Sequence, residues 1–231
     1  SQMREVLKRK RTRESTVMWA NAHEGGPTLP YSNNYLSADI VNNDPAMTHM
    51  YRQYLFESIA MDPDLVHIQN TPRRFTFRYL YHTEAFEKHC KTWGFQTLYI
   101  HLFNSLDIAA ARDSSEIVSV DGLGVTYDHE LQAGKLHVRV TERPDLNQTM
   151  IHVFNYIGTD ITNLIKRPRP ARQEAVKLKV KLCDESKSTK VYAVSPDNDE
   201  YGTVIRPETS RIDDSIEFAV PVDTYTLVVI Q

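Results

Sequence analysis

The C-terminal half of the chain alternates apolar and polar positions with a period of two, a pattern typical of strands that bury one face. In AVKLKVKLC, at 175–183, valines and leucines take every second position and lysines lie between them. Similar stretches, separated by turns such as SPDND and RPRP, continue to residue 231. We therefore expect an antiparallel β-sandwich over residues 116–231. We expect one row of side chains on the strand at 175–183 to face the core and the other row to face water. The core-facing row is Val176, Leu178, Val180 and Leu182, and the water-facing row is Lys177, Lys179 and Lys181.

The first 115 residues carry both helical and strand-like patterns. Residues 2–10 and 83–93 have helical spacing, residues 23–35 are rich in loop formers, and β-branched and aromatic residues predict strands at 16–22, 65–69, 75–81 and 95–103. The predicted fold class is therefore α+β and mainly β. A mixed α/β segment at 1–115, possibly the end of a barrel, precedes the antiparallel sandwich at 116–231.

The sequence pattern clearly predicts one helix in this segment, over residues 45–60. Asp44 is a good N-cap and Pro45 fits the first helical turn. An apolar stripe then recurs at helical spacing, which predicts a core-facing side made by Met47, Met50, Tyr51 and Tyr54. We expect another copy of the chain, or barrel sequence from elsewhere, to cover part of that stripe.

Composition excludes several classes of partner. The net charge of the 231 residues is −3 and the basic cluster KRKRTR at 8–13 is isolated, so we expect no nucleic-acid partner. No apolar run approaches the roughly 20 residues that cross a bilayer, so we expect no membrane partner. The two cysteines and nine histidines match no ligand spacing, so we expect no metal ion and no cofactor. The cellular compartment is left open.

The C-terminal part resembles the all-β domain that follows the catalytic (β/α)8 barrel in glycoside hydrolases. The dextranase and cycloisomaltooligosaccharide-forming family is one example, and β-galactosidase-like enzymes are similar. The resemblance is carried by a His-x-x-Asn-Tyr strand, a proline-containing connection, an alternating strand, a Ser-Pro-Asp turn and a last strand opened by Val-Pro. Three of these are short motifs, and they correspond to His152, Asn155 and Tyr156, to Ser195, Pro196 and Asp197, and to Val220 and Pro221.

A weaker resemblance extends to TVMWANAHEGGPTLPYSNNY, at 16–35, which is similar to the end of such a barrel. It implies that Glu24, at the tip of a strand, is a catalytic carboxylate beside His23, with Asp39 or Asp44 as the second carboxylate that glycoside hydrolysis needs. A complete barrel takes about 250 residues, so 115 residues cannot contain one. The simpler interpretation, which we favour, is a Gly-Gly turn in which Glu24 and His23 are solvated or cap a neighbouring element.

Three classes of function remain open. The chain is the C-terminal portion of a glycoside hydrolase and supports a barrel that it does not complete; or it is a non-catalytic carbohydrate-binding module; or it is a structural or assembly component. A binding module would present aromatic side chains to an oligo- or polysaccharide, for which four tyrosines are available: Tyr127, Tyr156, Tyr192 and Tyr201. Core packing or a strand-end hydrogen bond is the preferred role of each.

Overall fold

The computed structural model describes residues 18–21, 48–49, 52–53, 56, 66–69, 83–103, 109–110, 113–128, 132–159, 168–182, 189–198 and 202–231. The strands are β1 Met18–Asn21, β2 Val66–Gln69, β3 Ala109–Ala110, β4 Val118–Asp121, β5 Val125–Tyr127, β6 Leu136–Arg143, β7 Gln148–Asn155, β8 Gln173–Lys181, β9 Val191–Val194, β10 Val204–Ile205, β11 Thr209–Ile212, β12 Ser215–Val222 and β13 Tyr225–Ile230. The helices are α1 Thr83–Leu98, α2 Ile100–Phe103 and α3 Ser114–Ile117, with a 3₁₀ turn at Pro144–Leu146. Residues 48, 49, 52, 53 and 56 are also helical and are called the Arg52 helix.

Two mostly antiparallel sheets form the sandwich. Within the described residues, the larger sheet has the order β10-β9-β13-β7-β6-β3, with β5 parallel to β6, and the smaller has the order β11-β12-β8-β4. The facing sides of the sheets enclose an aliphatic core that includes Val138, Val153, Leu178 and Val228. The mainly β, α+β fold class is confirmed.

Strand β8 shows why the alternating pattern was informative. Val176, Leu178 and Val180 are buried in the sandwich core, while the three lysines between and after them are exposed. Leu182, just beyond the strand, is partly buried against the same core. Successive side chains of a strand point to opposite faces of the sheet. A strand in a sheet with one face in the core and one face in water therefore needs apolar and polar residues at alternating positions.

The larger sheet has a second buried face. Side chains of β7 and β13 that point away from the sandwich core, among them Phe154 and Tyr225, pack with Phe56 of the Arg52 helix and Phe95 of α1. The larger sheet is thus the middle of three layers, between the smaller sheet and the helices. Its central strands are buried on both sides, including polar positions such as His137 and Arg139.

Within the described residues, strands β1 and β2 form a parallel pair apart from the two larger sheets, with Met18 opposite Val66 and Asn21 opposite Gln69. The predicted strands at 16–22 and 65–69 are therefore confirmed at these residues. Parallel strands require a long crossover, usually helical. The Arg52 helix lies in the sequence between them, and α1 and α2 follow β2, so the described elements from β1 to α1 follow the order β-α-β-α.

The predicted strand at 95–103 is wrong: these residues end α1 and form α2. Thr92, Phe95, Leu102 and Phe103 are buried, a helical spacing that places them on one side. The aromatic and β-branched content favoured a strand, but packing against the sheet decides for a helix. The predicted helix at 83–93 is confirmed and runs on to Leu98.

Several predictions fall outside the described residues: the helix at 2–10, the loop at 23–35, the strand at 75–81, and the stripe of Met47, Met50, Tyr51 and Tyr54. The Arg52 helix does bury five side chains: Thr48, His49, Arg52, Gln53 and Phe56. Four of them are polar, and the apolar stripe gave no indication of that. The division of the chain at residues 115 and 116 stays a prediction.

Candidate functional site

A buried carboxylate marks the meeting point of the sandwich and the helices. Asp197 follows β9 in the turn that begins Ser195-Pro196. The Ser195 hydroxyl accepts a hydrogen bond from the Asp197 backbone N–H at 3.1 Å and donates one to the Tyr225 carbonyl at 2.6 Å. This local turn carries the Asp197 side chain inward, where only 3% of it is exposed. A charge so buried needs several partners.

Asp197 has those partners. Its carboxylate accepts hydrogen bonds from the backbone N–H groups of Thr224 and Tyr225, at 2.9 and 3.0 Å, and from the Thr224 hydroxyl at 2.6 Å. It also forms an ion pair with the Arg52 guanidinium. Burial alone would raise the pKa of Asp197, but the Arg52 charge and the Thr224 and Tyr225 hydrogen bonds outweigh it, so this pKa lies below its ordinary value.

Arg52 connects three elements. Its Nη1 pairs with Asp197 of the sandwich, and its Nε donates to the Thr92 hydroxyl of α1 at 3.1 Å. Thr92 in turn donates to the Lys88 carbonyl one helical turn earlier, at 3.2 Å. One guanidinium therefore joins the Arg52 helix, α1 and the turn after β9. We call Arg52, Thr92 and Asp197 the joint.

Neighbouring residues of the Arg52 helix add to the joint. Gln53 Nε2 donates to the Asn155 carbonyl at 2.6 Å. The Phe56 ring stacks on Tyr225, with centroids 4.5 Å apart and planes 5° from parallel, and meets Phe95 edge-on at 5.3 Å. The helix is thus held by an ion pair, an amide hydrogen bond and an aromatic cluster.

A second, more exposed ion pair lies at the edge of this region. Arg169, half-exposed, donates from Nε and Nη2 to the two carboxylate oxygens of Asp223 at 3.1 and 2.6 Å, and its Nη2 lies 3.6 Å from Asp197. Beside it, the buried Asn155 amide donates to the carbonyls of Ala171 and Asp223, both at 2.8 Å. The connection before β8 and the turn before β13 are fastened together here.

A buried histidine lies nearby on the same face of the larger sheet. His152 Nδ1 is 3.0 Å from the Tyr225 hydroxyl, and its Nε2 is 3.0 Å from the Thr141 hydroxyl. Burial, aided by the Arg139 charge, lowers the pKa of His152 to about 3. Burial also raises the pKa of Tyr225 well above its ordinary value. Both groups are therefore neutral at pH 7.

These groups are structural rather than reactive. Asp197 is ionised and its oxygens are occupied, and His152 and Tyr225 are enclosed by core side chains, so none can exchange protons with a substrate. Among the described residues, no group of three or more His, Cys, Asp or Glu side chains could hold a metal ion. In that same part of the chain, no helix is long and apolar enough to span a membrane.

The candidate catalytic residues Glu24, His23 and Asp39, with Asp44, lie outside the described residues. The structure places the end of β1 at Asn21, two positions before His23. Of the candidate sugar-facing tyrosines, Tyr156 is fully buried, Tyr127 and Tyr192 are partly buried against the two cores, and Tyr201 lies outside the described residues. Core packing, one of the two preferred roles, is confirmed for these three.

The joint itself was missed at the level of sequence. Two of the three resemblance motifs nevertheless lie in this region: Ser195-Pro196-Asp197 forms the turn, and His152, Asn155 and Tyr156 belong to β7 and its end. The motifs mark the polar contacts that hold the helices to the sheet. Arg52 had no comparable signal, because an arginine on an amphipathic helix is ordinarily exposed to water.

No protein-family model matches this chain, and no curated protein matches it. Among solved structures, a cycloisomaltooligosaccharide glucanotransferase from Paenibacillus sp., complexed with cycloisomaltoheptaose, is similar with a TM-score of 0.56 and 18% identity. The match covers 64% of this chain and 21% of that chain. An α-L-fucosidase isoenzyme 2 from Paenibacillus thiaminolyticus matches at 10% identity with a TM-score of 0.33, over 70% of this chain and 19% of that one.

The glucanotransferase comparison shows a shared fold. The relation to glycoside hydrolases expected from the sequence is thus supported at the level of fold. The chain spans about a fifth of the length of either neighbour.

Proposed function

We propose that this chain is the C-terminal portion of a carbohydrate-active enzyme of the glycoside hydrolase type. In this proposal β1, the Arg52 helix, β2 and α1 are the last β/α units of a barrel that is not complete in the chain. The sandwich then supports that barrel. The observation that carries the proposal is the β-α-β-α order of the described elements from β1 to α1, whose two strands are parallel and whose Arg52 helix is joined to the β-sandwich through a buried ion pair.

A parallel pair of strands supports this proposal physically. Parallel sheets occur almost only with both faces covered and with further strands beside them, and an isolated two-stranded sheet is marginal in water. A pair such as β1 and β2 is therefore expected to belong to a larger parallel sheet. A barrel completed by other sequence supplies one, and in the glycoside hydrolases that the C-terminal part resembles, a (β/α)8 barrel precedes the all-β domain.

Within the proposal, Glu24 is the residue to test for catalysis. In (β/α)8 barrels the catalytic groups lie at the C-terminal ends of strands, and Glu24 follows β1 by three positions. Glycoside hydrolysis uses two carboxylates, for which Asp39 is the second candidate. His23 would then orient a substrate hydroxyl. The first ligand class to offer is an oligo-α-glucan, because the glucanotransferase neighbour is complexed with cycloisomaltoheptaose.

The alternative of a free-standing carbohydrate-binding module has less support. Sugar-binding surfaces stack exposed aromatic rings on the ligand. In the described part of the chain, the large exposed hydrophobic side chains are aliphatic: Leu98, Ile100, Leu146, Val204 and Ile212. A structural or assembly role also stays a candidate, and a large symmetric oligomer would be its sign.

The first experiment reads the genomic sequence upstream of the codon for Ser1 and assays both proteins. We expect an in-frame barrel there, and no hydrolysis or transfer on dextran, cycloisomaltooligosaccharides or β-galactosides by the 231-residue chain alone. The protein that includes the barrel should act on one of these, and Glu24→Gln should lower its kcat about 10²- to 10⁴-fold. Glu174→Gln, an exposed carboxylate on β8, is the matched control.

Two results would contradict the proposal. One is an upstream region with no barrel sequence. The other is turnover by the isolated chain that Glu24→Gln abolishes, which would make the chain an enzyme in its own right. Binding of dextran by the isolated chain without turnover would favour the carbohydrate-binding alternative instead.

A further inference from the structure

The joint is asymmetric in how its two charged partners are satisfied. Asp197 keeps three donors that belong to the sandwich itself: the Thr224 N–H, the Thr224 hydroxyl and the Tyr225 N–H. Arg52 depends on contacts outside its own helix, namely Asp197 and Thr92. If the Arg52 helix moved away, Asp197 would remain hydrogen-bonded while Arg52 would enter water.

This asymmetry separates two unfolding events. The sandwich has its own aliphatic core between two sheets, and that core includes no residue of the Arg52 helix. The helix contributes Phe56 to the other core, on the outer face of the larger sheet. Proteins open in cooperative units whose free energies differ, and units with fewer buried contacts open first. The geometry therefore allows the helix to open while the sandwich stays folded.

We propose that the Arg52–Asp197 ion pair, supported by Thr92, is the latch by which the β-sandwich holds the Arg52 helix closed. The latch sets how often that helix opens. Naming the latched element a barrel unit rests on the proposed function; the latch itself does not. A sandwich that latches a catalytic unit positions that unit without contributing a catalytic residue.

The charge pair suits a latch better than an apolar contact would. While the helix stays closed, removing Arg52 leaves the buried Asp197 carboxylate with its three hydrogen bonds but without an opposite charge, and this destabilises the closed state. Lysine is a poor substitute for Arg52, because one ammonium group cannot reproduce the separate Nε contact with Thr92 and Nη1 contact with Asp197. The latch thus needs this residue type at this position.

Hydrogen exchange of the full 231-residue chain, resolved to peptides and read by mass spectrometry, tests the proposal. Arg52→Met should speed exchange over 48–56 by roughly 100-fold, while exchange over β7 and β13 changes less than about threefold. Asp223→Asn is the matched control: it removes a carboxylate of the same region that pairs with Arg169 and not with the helix. It should leave exchange over 48–56 within about twofold of wild type.

Arg52→Lys covers the case in which Arg52→Met does not fold. It should give exchange over 48–56 faster than wild type, and slower than Arg52→Met where that variant folds. Equal acceleration in the helix and in β7 would overturn the latch, because the joint would then support only global stability. Unchanged exchange over 48–56 in either variant would overturn it as well. Neither readout involves a sugar or the upstream sequence, so the latch and the proposed function fail independently.

Discussion

The buried His152 predicts that the protein loses stability under mildly acidic conditions. The ring lies between Thr141 and Tyr225, each 3.0 Å away, with the Arg139 charge nearby. Folding lowers the pKa of His152 from its ordinary 6.5 to about 3. The unfolded chain therefore binds a proton on this ring at pH 5, and the folded chain does not.

The sign and size of this loss of stability follow from proton linkage. Because the folded pKa is below the unfolded one, the unfolded state binds more protons between pH 6.5 and 3, and the free energy of unfolding falls as pH falls through that window. Between pH 7 and pH 5 this single ring should remove about 2 kcal/mol. That figure is set by the unfolded pKa, since the folded ring stays neutral at pH 5. Folding also lowers the pKa of Asp197, so this carboxylate stabilises the folded state above its unfolded pKa. That stabilisation is lost at lower pH than the contribution of His152 between pH 7 and pH 5.

Urea unfolding measured by circular dichroism at several values between pH 7 and pH 5 provides the assay. In His152→Gln, the free energy of unfolding should depend less on pH, with about 2 kcal/mol of the wild-type decrease absent. His101 lies exposed on α2, so His101→Gln should keep the wild-type pH dependence. The reasoning is refuted if His152→Gln and wild type lose the same free energy between pH 7 and pH 5.

Three further outcomes are expected. Leu178→Ala, in the sandwich core, should cost about 2–5 kcal/mol in urea unfolding, and Lys179→Ala on the wet face of β8 less than about 1 kcal/mol; similar costs would mean that the strand faces are misassigned. Asn155→Ala should cost about 3 kcal/mol by the same measurement, because the carbonyls of Ala171 and Asp223 lose their donor; a cost below about 1 kcal/mol would contradict this. Light scattering of the isolated chain at micromolar concentration should show self-association through its front segment, and a clean monomer would contradict that expectation.

Some features of the fold were predictable because they depend on neighbouring residues alone. Alternating burial in β8 is one: adjacent side chains of a strand point to opposite faces whichever strand pairs with it. The helix at 83–93 is another, although its extension to Leu98 was not predicted. The apolar residues of 95–103 fit both the strand period of two and the helix period of 3.6. These residues are helical because Phe95 and Phe103 pack against Phe56.

The polar residues of the larger sheet show the limit of the same pattern. His137 and Arg139 alternate with Leu136 and Val138 in β6, a pattern typical of a wet outer face. Both are buried, so the outer face of the sheet is covered at these positions and is not wet. Whether an outer face is wet depends on what packs on it, and alternation carries no information about that.

By itself the sequence therefore determined the sandwich, the row of β8 that enters its core and the turns that join its strands, because these follow from spacing within a few residues. The tertiary structure alone decided the joint. Arg52 and Asp197 lie 145 positions apart, and each looks like an ordinary charged residue of a helix or a turn. They become buried partners only after the chain has brought the Arg52 helix, α1 and the end of β9 together, since a charge leaves water only where the fold provides its opposite.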